Sequence, residues 1–470
     1  MIYVNYEDFG AVGDGKTNDF QAIKSAHEYA NKNNLSVKTK SGAVYYIGDT
    51  DSDIPVMTDV DWNTSRFIID DTNVSNRRLP IFKIISDIKS DDILIPLKEI
   101  SKSTDKLDIT LPYRCQVILK NADVKHYIRF GLNQNDGVAQ TDTIIIEKDG
   151  ALSVPASWDF DNITSVKVIP IDEKPLYITD GTFTTIANYE ESKYNYYTRN
   201  IVIRRSNVVI DGVTHYIENE REHGAPYGGF ISAHESCDVT VKNCFFTGHK
   251  IFYTIGSADK PVPMGSYDVD FGSCININLL NCRQINIRDS RYWGIFGSNH
   301  CKNLTVDGCY ISRVDAHMGV TNYTIKNTTL GWQGLNAIGH GLLTLDNVTS
   351  YGNGSLINLR LDYGSTWDGD VVIKNSTWHV SDRITNPAII GGYNSAEHDF
   401  GYVCHLPRSI EIDNLRVENV KGNLYLYNDI TPADYITKPY PYVMTERKNI
   451  SWHNVTPDIS DISYSLKFDF

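Results

Sequence analysis

The sequence is short of positive charge. It has 44 Lys and Arg residues against 58 Asp and Glu residues in 470, which gives a formal net charge of −14. Binding to a nucleic-acid backbone needs a surplus of basic side chains on one face, so we expect no nucleic-acid partner. An anionic polymer is also repelled at long range, so such a substrate requires a locally positive pocket.

Long apolar runs are also missing. No uninterrupted stretch approaches the 18 or more apolar residues that predict a membrane span, so we expect no membrane insertion. The N-terminus MIYVNYED has neither the basic nor the apolar region of a signal peptide. We therefore expect synthesis in the cytoplasm and, for action outside the cell, release by another route such as assembly into a virion.

The eight cysteines form no CxxC pair, which disfavours zinc-ribbon and thioredoxin-type sites. Six of them lie between Cys237 and Cys309, in pairs that are 7 or 8 residues apart. Cysteine packs as a small hydrophobe, and the chain shows no secretory context. We therefore interpret these cysteines as buried core residues rather than as disulfides.

Residues 1–50 form a first unit, in which a turn-rich stretch precedes an amphipathic helix and a strand–turn–strand segment. The apolar residues Phe20, Ile23, Ala26 and Ala30 recur at three- or four-residue steps, which predicts the helix. The run DFGAVGDGKTNDFQAI at residues 8–23 resembles the N-terminal motif of pectate-lyase-type β-helix proteins, which include polygalacturonase-like enzymes and many phage tail spikes. The resemblance implies an all-β fold: a right-handed parallel β-helix with an N-terminal capping helix and inserted loops.

The rest of the chain divides into two parts. In residues 51–195, short β-type runs alternate with polar turns, which predicts early coils that carry inserted β-rich loops. From 196 to 470, alternating strands are followed by tight polar turns, as in TVDG at 305–308 and TIKN at 324–327. The apolar anchors at positions 287, 306, 325 and 345 are 19 or 20 residues apart, about one coil of a parallel β-helix. Gly and Asn recur at the corner because it requires a left-handed backbone.

Unusual side chains recur 8 to 17 residues after successive anchors, and equal offsets stack on neighbouring coils. They predict a polar face roughly 20–25 Å long, at about 4.8 Å per coil, which suits a linear polymer. Asp315 and His317 share one side of this face if their segment is extended. The other members of the face are Glu218, Glu220, Arg221, Glu222, His223, His249, Lys250, Asn299, His300, Asn336, His340, Asn358, Arg360 and Asp362.

A second resemblance covers residues from about 180 to 370. The segments RVDAHMGV at 313–320 and NLRLDYGSTW at 358–367 resemble the tail-appendage spikes of podoviruses that infect Bacillus, whose role is to digest wall teichoic acid. The resemblance implies a depolymerase that hydrolyses the phosphodiester bonds of glycerol-phosphate wall teichoic acid, located in a virion tail or outside the cell. Many relatives trimerise about the solenoid axis, so the resemblance also implies a homotrimer.

Phosphodiester cleavage needs cations on the phosphoryl oxygens and an acid for the leaving alkoxide. A guanidinium matches phosphate bidentately, which makes Arg291, Arg313 and Arg360 candidate phosphate ligands. His317 is the candidate acid or base, because Asp315 can orient its imidazole and raise its pKa toward neutrality. The further candidates are His249 as a reserve catalytic residue, with Asp362, His223, Glu222, Trp293 and His340 as substrate-binding residues.

Other functions remain open on the sequence. A glycoside hydrolase needs two carboxylates about 5–9.5 Å apart, which Asp315 with Asp362 or Glu222 with Asp289 would provide. A polysaccharide lyase needs calcium or a basic residue beside a uronate, and a non-catalytic envelope adhesin would have the same groove without an acid–base pair. The cofactor stays unknown: Glu222, Asp315, Asp362 and the histidines would allow a divalent metal, yet no HxH or HExxH spacing supports one.

Overall fold

Each turn of the chain contributes strands to three parallel sheets that run the length of the molecule. The computed structural model describes residues 3–89, 93–129, 134–190, 196–220, 227–255, 259–392, 402–428 and 443–463. Thirty-one strands of this part of the chain belong to one hydrogen-bonded network, and consecutive coils pair in parallel register. The fold is a right-handed parallel β-helix, as the sequence predicts.

The strands are best grouped by sheet, because the sheets decide which residues stack. The first sheet contains Tyr3–Val4, Ser36–Lys38, Val60–Asp61, Leu176–Thr179, Val208–Asp211, Cys237–Lys242, Ile275–Leu280 and Lys302–Asp307. The second contains Asp14–Asn18, Val44–Ile47, Arg66–Asp70, Thr182–Ile186, Thr214–Glu218, Phe245–Phe246, Arg283–Gln284 and Thr349–Ser350. The third contains Ile54–Val56, Phe82–Ile85, Ile201–Arg204, Gly228–His234, Tyr267–Gly272, Ile295–Asn299, Ile357–Leu359, Ala388–Gly391, Tyr425–Tyr427 and Asp461–Ser463.

Some strands continue through the corners from one sheet into the next. Tyr310–Lys326 and Thr329–Asp346 each run through the second, third and first sheets, and Trp367–His379, Ser409–Glu418 and Ile450–Thr456 run from the first sheet into the second. Side chains alternate between the interior and the outer face along every strand. Short 3-10 turns span Glu7–Phe9, Leu361–Tyr363 and Arg447–Asn449.

The corner between the first and second sheets has the left-handed backbone expected from its Asn and Gly residues. Gly308, Asn327, Asn347, Asn375 and Asn414 all have φ between 50° and 67°. Their amides also bond along the stack, with Asn347 Nδ2 donating to Asn327 Oδ1 at 2.9 Å and Asn414 Nδ2 to Asn375 Oδ1 at 3.0 Å. The corner therefore combines a conformation that these residues adopt easily with a ladder of hydrogen bonds between coils.

One of the four anchors predicted from the repeat is wrong. Val306, Ile325 and Leu345 stack on one another in the first sheet, but the residue that pairs with Val306 on the preceding coil is Leu279. Ile287 lies in a turn before the next strand of the third sheet, where its carbonyl accepts from Trp332 N at 2.7 Å. Its side chain is buried, so it has the same apolar signature as a coil anchor.

The N-terminal helix and the cysteines agree with the sequence prediction. The helix Phe20–Asn33 buries Phe20, Ile23, Ala26 and Ala30 against the first coils. Asp19 precedes it, and its carboxylate accepts from the backbone N–H groups of Val12 and Gly13 at 2.7 and 3.1 Å rather than from the helix. All eight cysteines are buried and free, which confirms their role as core residues.

A four-stranded antiparallel sheet interrupts the β-helix between the strands Phe82–Ile85 and Leu176–Thr179. Its strands are Cys115–His126, Val138–Ile146, Leu152–Val154 and Ser165–Pro170, and we call this unit the inserted sheet. The inserted sheet packs on the β-helix through a small apolar cluster and through a buried ion pair. In this pair Lys302 Nζ lies 2.9 Å from Asp142 Oδ1. This docking brings Tyr127 and Arg129, just beyond the first inserted strand, against the outer face of the third sheet.

A candidate active groove on the third sheet

A column of polar residues lies on the outer face of the third sheet. The register pairs Asp270 with Gly297, Gly297 with Asp315, Asp315 with Asn336 and Asn336 with Asn358. Their neighbours in sequence, such as Val314 and Ala316, point into the core and are fully buried. We call the surface along this column the groove; it extends over roughly 20 Å, at about 4.8 Å per coil.

Three arginines and two carboxylates alternate in the middle of the groove. Arg313 Nη2 lies 3.0 Å from Asp315 Oδ2, and Arg360 Nη1 lies 3.8 Å from the same oxygen. Arg360 also forms a two-point pair with Asp362, at 2.8 and 3.1 Å. Arg129 of the inserted sheet approaches Asp362 Oδ2 to 2.6 Å. The three guanidinium groups exceed the two carboxylates by one positive charge.

Because these charged groups are buried, the electrostatic interactions between them are strong. Asp315 is only 2% exposed and Arg360 12%, so water screens them little. Although burial raises the pKa of Asp315, the nearby Arg313 and Arg360 outweigh it and lower that pKa below its usual value. Burial and Arg360 act on the pKa of Asp362 in the same opposed way, with a lowered pKa as the result. Both carboxylates are therefore ionised at neutral pH.

His317 stands beside this cluster, but its environment differs from the sequence expectation. Its Nδ1 donates to Asn299 Oδ1 at 2.7 Å, so Asn299 rather than Asp315 orients the ring and leaves Nε2 as the acceptor. Burial and the positive charge of Arg360 lower the pKa of His317 to about 3, and Asp315 opposes this effect only in part. The expectation that Asp315 brings the pKa of His317 toward neutrality is thus wrong, and the imidazole is neutral at physiological pH.

Asp270, unlike His317, has a pKa near neutrality and can hold a proton there. Burial raises its pKa to about 7, with only the backbone N–H of Phe271 acting in the opposite direction. Its Oδ2 lies 3.8 Å from His234 Nε2, and its Oδ1 lies 3.5 Å from where a Cβ on Gly297 would stand. A side chain at position 297 would collide with the ring of Tyr267, which lies across this glycine between Asp270 and Asp315.

Aromatic rings border the groove on both sides. The guanidinium carbon of Arg313 is 5.0 Å from the ring centre of Trp293, and that of Arg360 is 5.2 Å from the ring centre of Tyr363. Tyr363 also meets His317 edge-on, with 5.7 Å between ring centres. These cation–π contacts hold the guanidinium groups in place; the Tyr363 ring is buried, whereas Trp293 is partly exposed.

His249 belongs to a neighbouring cluster, which the backbone links to the groove. It is 1% exposed, its Nδ1 donates to Glu220 Oε1 at 2.7 Å, and its ring stacks on Tyr227 with 5.0 Å between centres. Its carbonyl accepts from Trp293 N at 2.8 Å. His249 is therefore connected to Arg313 through Trp293 and does not contact the arginine cluster itself.

Two predicted site residues lie elsewhere and two lie outside the described residues. Arg291 is 79% exposed and pairs with Asp289 at 2.6 Å. His340 lies in a different cleft, below the inserted sheet, where its Nε2 is 2.9 Å from Thr321 Oγ1. Glu222 and His223 fall within 221–226, outside the described residues.

Asp270 and Arg129 escaped the sequence prediction for different reasons. Asp270 lies in the strand segment DVDFG, which lacks an Asn or Gly corner signal at the usual offset, and its stacking on Asp315 through Gly297 follows only from the register. Arg129 comes from the inserted sheet, 233 residues before its partner Asp362 in sequence. Within the described residues, no group of three or more His, Cys, Asp or Glu side chains is arranged to hold a metal ion. No helix in that same part of the chain is long and apolar enough to cross a membrane.

The fold and the groove together define a parallel β-helix with a charged outer face. No protein-family model matches the chain. A capsule KL64-specific depolymerase of Klebsiella phage P510 is 34% identical over 96 residues, which are 18% of this chain and 9% of that protein, so the match spans less than a tenth of the relative's length.

Among solved structures, the chain is similar to the tailspike protein gp49 from Pseudomonas phage LKA1, with 12% identity, a TM-score of 0.49, and coverage of 98% of this chain and 81% of that one. It is also similar to the surface protein and adhesin PfbA of Streptococcus pneumoniae, with 12% identity, a TM-score of 0.46, and coverage of 98% and 100%. At this level of identity the likeness concerns the fold alone.

Proposed function

We propose that this protein is a depolymerase that cleaves an anionic polymer of the bacterial cell envelope in the groove of the third sheet. The observation that carries the proposal is the alternation of Arg129, Arg313 and Arg360 with Asp315 and Asp362. A chain with a net charge of −14 repels polyanions at long range. A positive excess held at low exposure in a linear groove is the local exception that an anionic substrate needs.

The favoured reaction is hydrolysis of a glycosidic bond by Asp270 and Asp315. Asp270, with a pKa of about 7, keeps a proton for the leaving oxygen, whereas Asp315 stays ionised beside its two arginines. The two residues are two coils apart, roughly 10 Å at their backbones. Inverting glycosidases separate their carboxyl groups by about 6.5–9.5 Å to admit a water molecule, and retaining ones by about 5–5.5 Å. This backbone spacing is nearer the inverting range than the retaining one, and the ring of Tyr267 fills part of the gap.

One carboxylate oxygen of Asp315 can accept a hydrogen bond from that water molecule. Its Oδ2 faces the arginines, while its buried Oδ1 makes no hydrogen bond with any described residue. A buried carboxylate oxygen without a partner is unusual and is commonly satisfied by water or ligand. Turned so that its amide oxygen faces Arg313, Asn336 of the next coil accepts from that guanidinium at 3.0 and 3.1 Å and holds it in place.

The second candidate is hydrolysis of wall teichoic acid at its phosphodiester bonds. The guanidinium cluster favours it, because Arg binds phosphoryl oxygens bidentately. The acid in that reaction would be Asp270, because a His317 with a pKa of about 3 does not hold a proton at neutral pH. The match to a phage capsule depolymerase, short as it is, supports a glycan substrate first.

The experiment that separates these candidates is incubation of the purified protein with an acidic capsular polysaccharide and, in parallel, with poly(glycerol phosphate) teichoic acid. New reducing ends whose anomeric proton signals show inverted configuration are expected from the polysaccharide. New phosphomonoester signals in the phosphorus NMR spectrum would instead establish the teichoic-acid reaction. Repeating both reactions with EDTA tests for a metal.

Matched variants assign the residues. Asp270→Asn and Asp315→Asn should each lower kcat by about 10²-fold or more, as loss of an acid or base does. Asp289→Asn removes a partly exposed carboxylate whose partner Arg291 lies outside the arginine cluster, and should leave kcat unchanged. Polymer binding without cleavage would favour an adhesin, and equal activity in all four proteins would refute the assignment of the groove.

The same proposal includes location and assembly. We infer that the protein acts on a virion tail or otherwise outside the cell, where envelope polymers are accessible, and that it forms a homotrimer. The trimer rests on the resemblance to tail spikes that assemble in this way. Sedimentation equilibrium of the purified protein gives the subunit number, and a mass of one chain would refute the trimer.

A further inference from the structure

A second cleft, separate from the groove, lies where the inserted sheet overhangs the first sheet. It has a volume of about 1110 Å³ and is lined by both units. It contains His340, which the sequence had suggested as part of the polar face and which the groove does not use. We propose that this cleft is a non-catalytic binding site for an uncharged oligosaccharide.

Part of the cleft lining is glycine backbone, beside side chains such as Leu342 and Asp370. Gly341 pairs directly with Gly369 on the next coil, and a Cβ on Gly369 would collide with the Gly341 carbonyl. Glycine within a strand commonly marks a place where another group approaches the backbone closely. Here that group is the neighbouring coil, because the Cβ of Gly369 would meet the Gly341 backbone and the Cβ of Gly341 would meet the Asn322 side chain. The two glycines also leave a low stretch of the cleft lining on which a sugar ring can lie.

One wall of the cleft is aromatic. The half-buried Trp158 of the inserted sheet lies between His340, with 4.1 Å between ring centres, and His126, with 5.3 Å. Burial lowers the pKa of both histidines to about 4, so all three rings are uncharged at neutral pH. The exposed part of the Trp158 ring is an apolar surface in polar surroundings, the combination suited to the apolar face of a sugar.

The charges around the cleft balance. Its lining contains four cationic side chains and four carboxylates: Lys102, Lys125, Lys302 and Arg408 against Asp123, Asp159, Asp368 and Asp370. This balance contrasts with the positive excess of the groove. Asp368 accepts from Arg408 Nε at 2.8 Å and lies 3.5 Å from His405 Nδ1, which fixes a planar donor and acceptor set at the rim. Paired planar groups suit hydroxyl groups better than they suit an anion.

A buried polar atom beneath Trp158 is an independent sign of a ligand site. His340 is 6% exposed, and its Nδ1 has no hydrogen-bond partner among the described residues, although its Nε2 is engaged by Thr321. Most buried polar groups are satisfied in folded proteins, and exceptions concentrate where water or ligand completes the set. A sugar hydroxyl reaching under Trp158 would complete this one.

The test measures binding and needs no cleavage, so it is independent of the proposed depolymerase activity. Tetra- to hexasaccharides from dextran, from mannan and from chitin are the probes, and saturation-transfer NMR detects binding to the full chain. At least one probe should bind, with its affinity lowered on the order of tenfold or more by Trp158→Ala. Arg408→Ala should weaken binding as well, and because Arg408 is 62% exposed, its loss does not disturb the packing of the fold.

Two control variants keep the proposal falsifiable. Tyr177→Ala removes an aromatic ring that is 44% exposed on the same sheet but outside the cleft, and should leave binding unchanged. Arg313→Ala alters the groove and should also leave it unchanged. The proposal is overturned if none of the probes binds, if Arg313→Ala abolishes binding while Arg408→Ala does not, or if Arg408→Ala changes only the sedimentation coefficient, which would make the cleft a contact between copies.

Discussion

Asp270 should make the protein less stable at neutral pH than it would be with an amide at the same position. The side chain is 18% exposed, and burial raises its pKa from 3.8 to about 7 in the folded chain. In the unfolded chain the carboxyl ionises near 3.8, so the folded state alone resists ionisation. Asp270→Asn keeps the shape of the side chain and removes this resistance.

The sign and size follow from the two pKa values. Below pH 3.8 both states are protonated and the residue costs nothing. As the pH rises from 3.8 to 7, only the unfolded chain releases the proton, which favours unfolding by about 1.4 kcal/mol per pH unit. Above pH 7 the cost levels off at about 4 kcal/mol, an upper limit because of the partial exposure. The Asn variant should therefore be more stable by up to this amount at pH 8 and by nearly nothing at pH 4.

Thermal unfolding measures the difference. For 470 residues the unfolding entropy is about 1 kcal/mol per degree, so about 4 kcal/mol corresponds to a rise in Tm of about 4 °C at pH 8. The exposed Asp108→Asn serves as the control for loss of a solvated charge. Activity should fall in Asp270→Asn while Tm rises, as a strained catalytic group predicts. A Tm difference that is independent of pH would refute the buried, protonated state of Asp270.

Three further predictions concern the groove. Asp315→Asn leaves Arg313 and Arg360 buried without their shared carboxylate and should lower the free energy of unfolding by about 3–5 kcal/mol, measured by urea denaturation. His317→Gln should not change the shape of the pH–activity profile between pH 5 and 8, because the pKa of His317 is about 3; disappearance of a limb near pH 6.5 would contradict this. Binding of the anionic polymer should weaken as salt rises from 50 to 500 mM, since ions screen the guanidinium charges, and salt-independent binding measured by titration calorimetry would argue against an anionic substrate.

The sequence predicts which segments form the groove, but it predicts few of the hydrogen bonds and charge states on which a mechanism depends. The two-residue spacing of Arg313, Asp315 and His317 predicts that these side chains share one face of a strand. The sequence also places Asn299 on that face, but it does not predict that Asn299, one coil earlier, is the hydrogen-bond partner of His317. The pKa of His317 depends on burial and on Arg360, and neither is encoded in local spacing.

The sequence by itself determined the coil. Asn and Gly at the corners, apolar anchors about 20 residues apart and the N-terminal helix are local features, and the backbone conformations they require are decided within a few residues. The tertiary structure decided which coils are adjacent, and therefore that Leu279 rather than Ile287 stacks on Val306. It also decided that the inserted sheet folds back to deliver Arg129 to Asp362. Proximity between distant segments, and the burial that goes with it, arises only when the whole chain packs, and those two quantities set the charge state of every group in the groove.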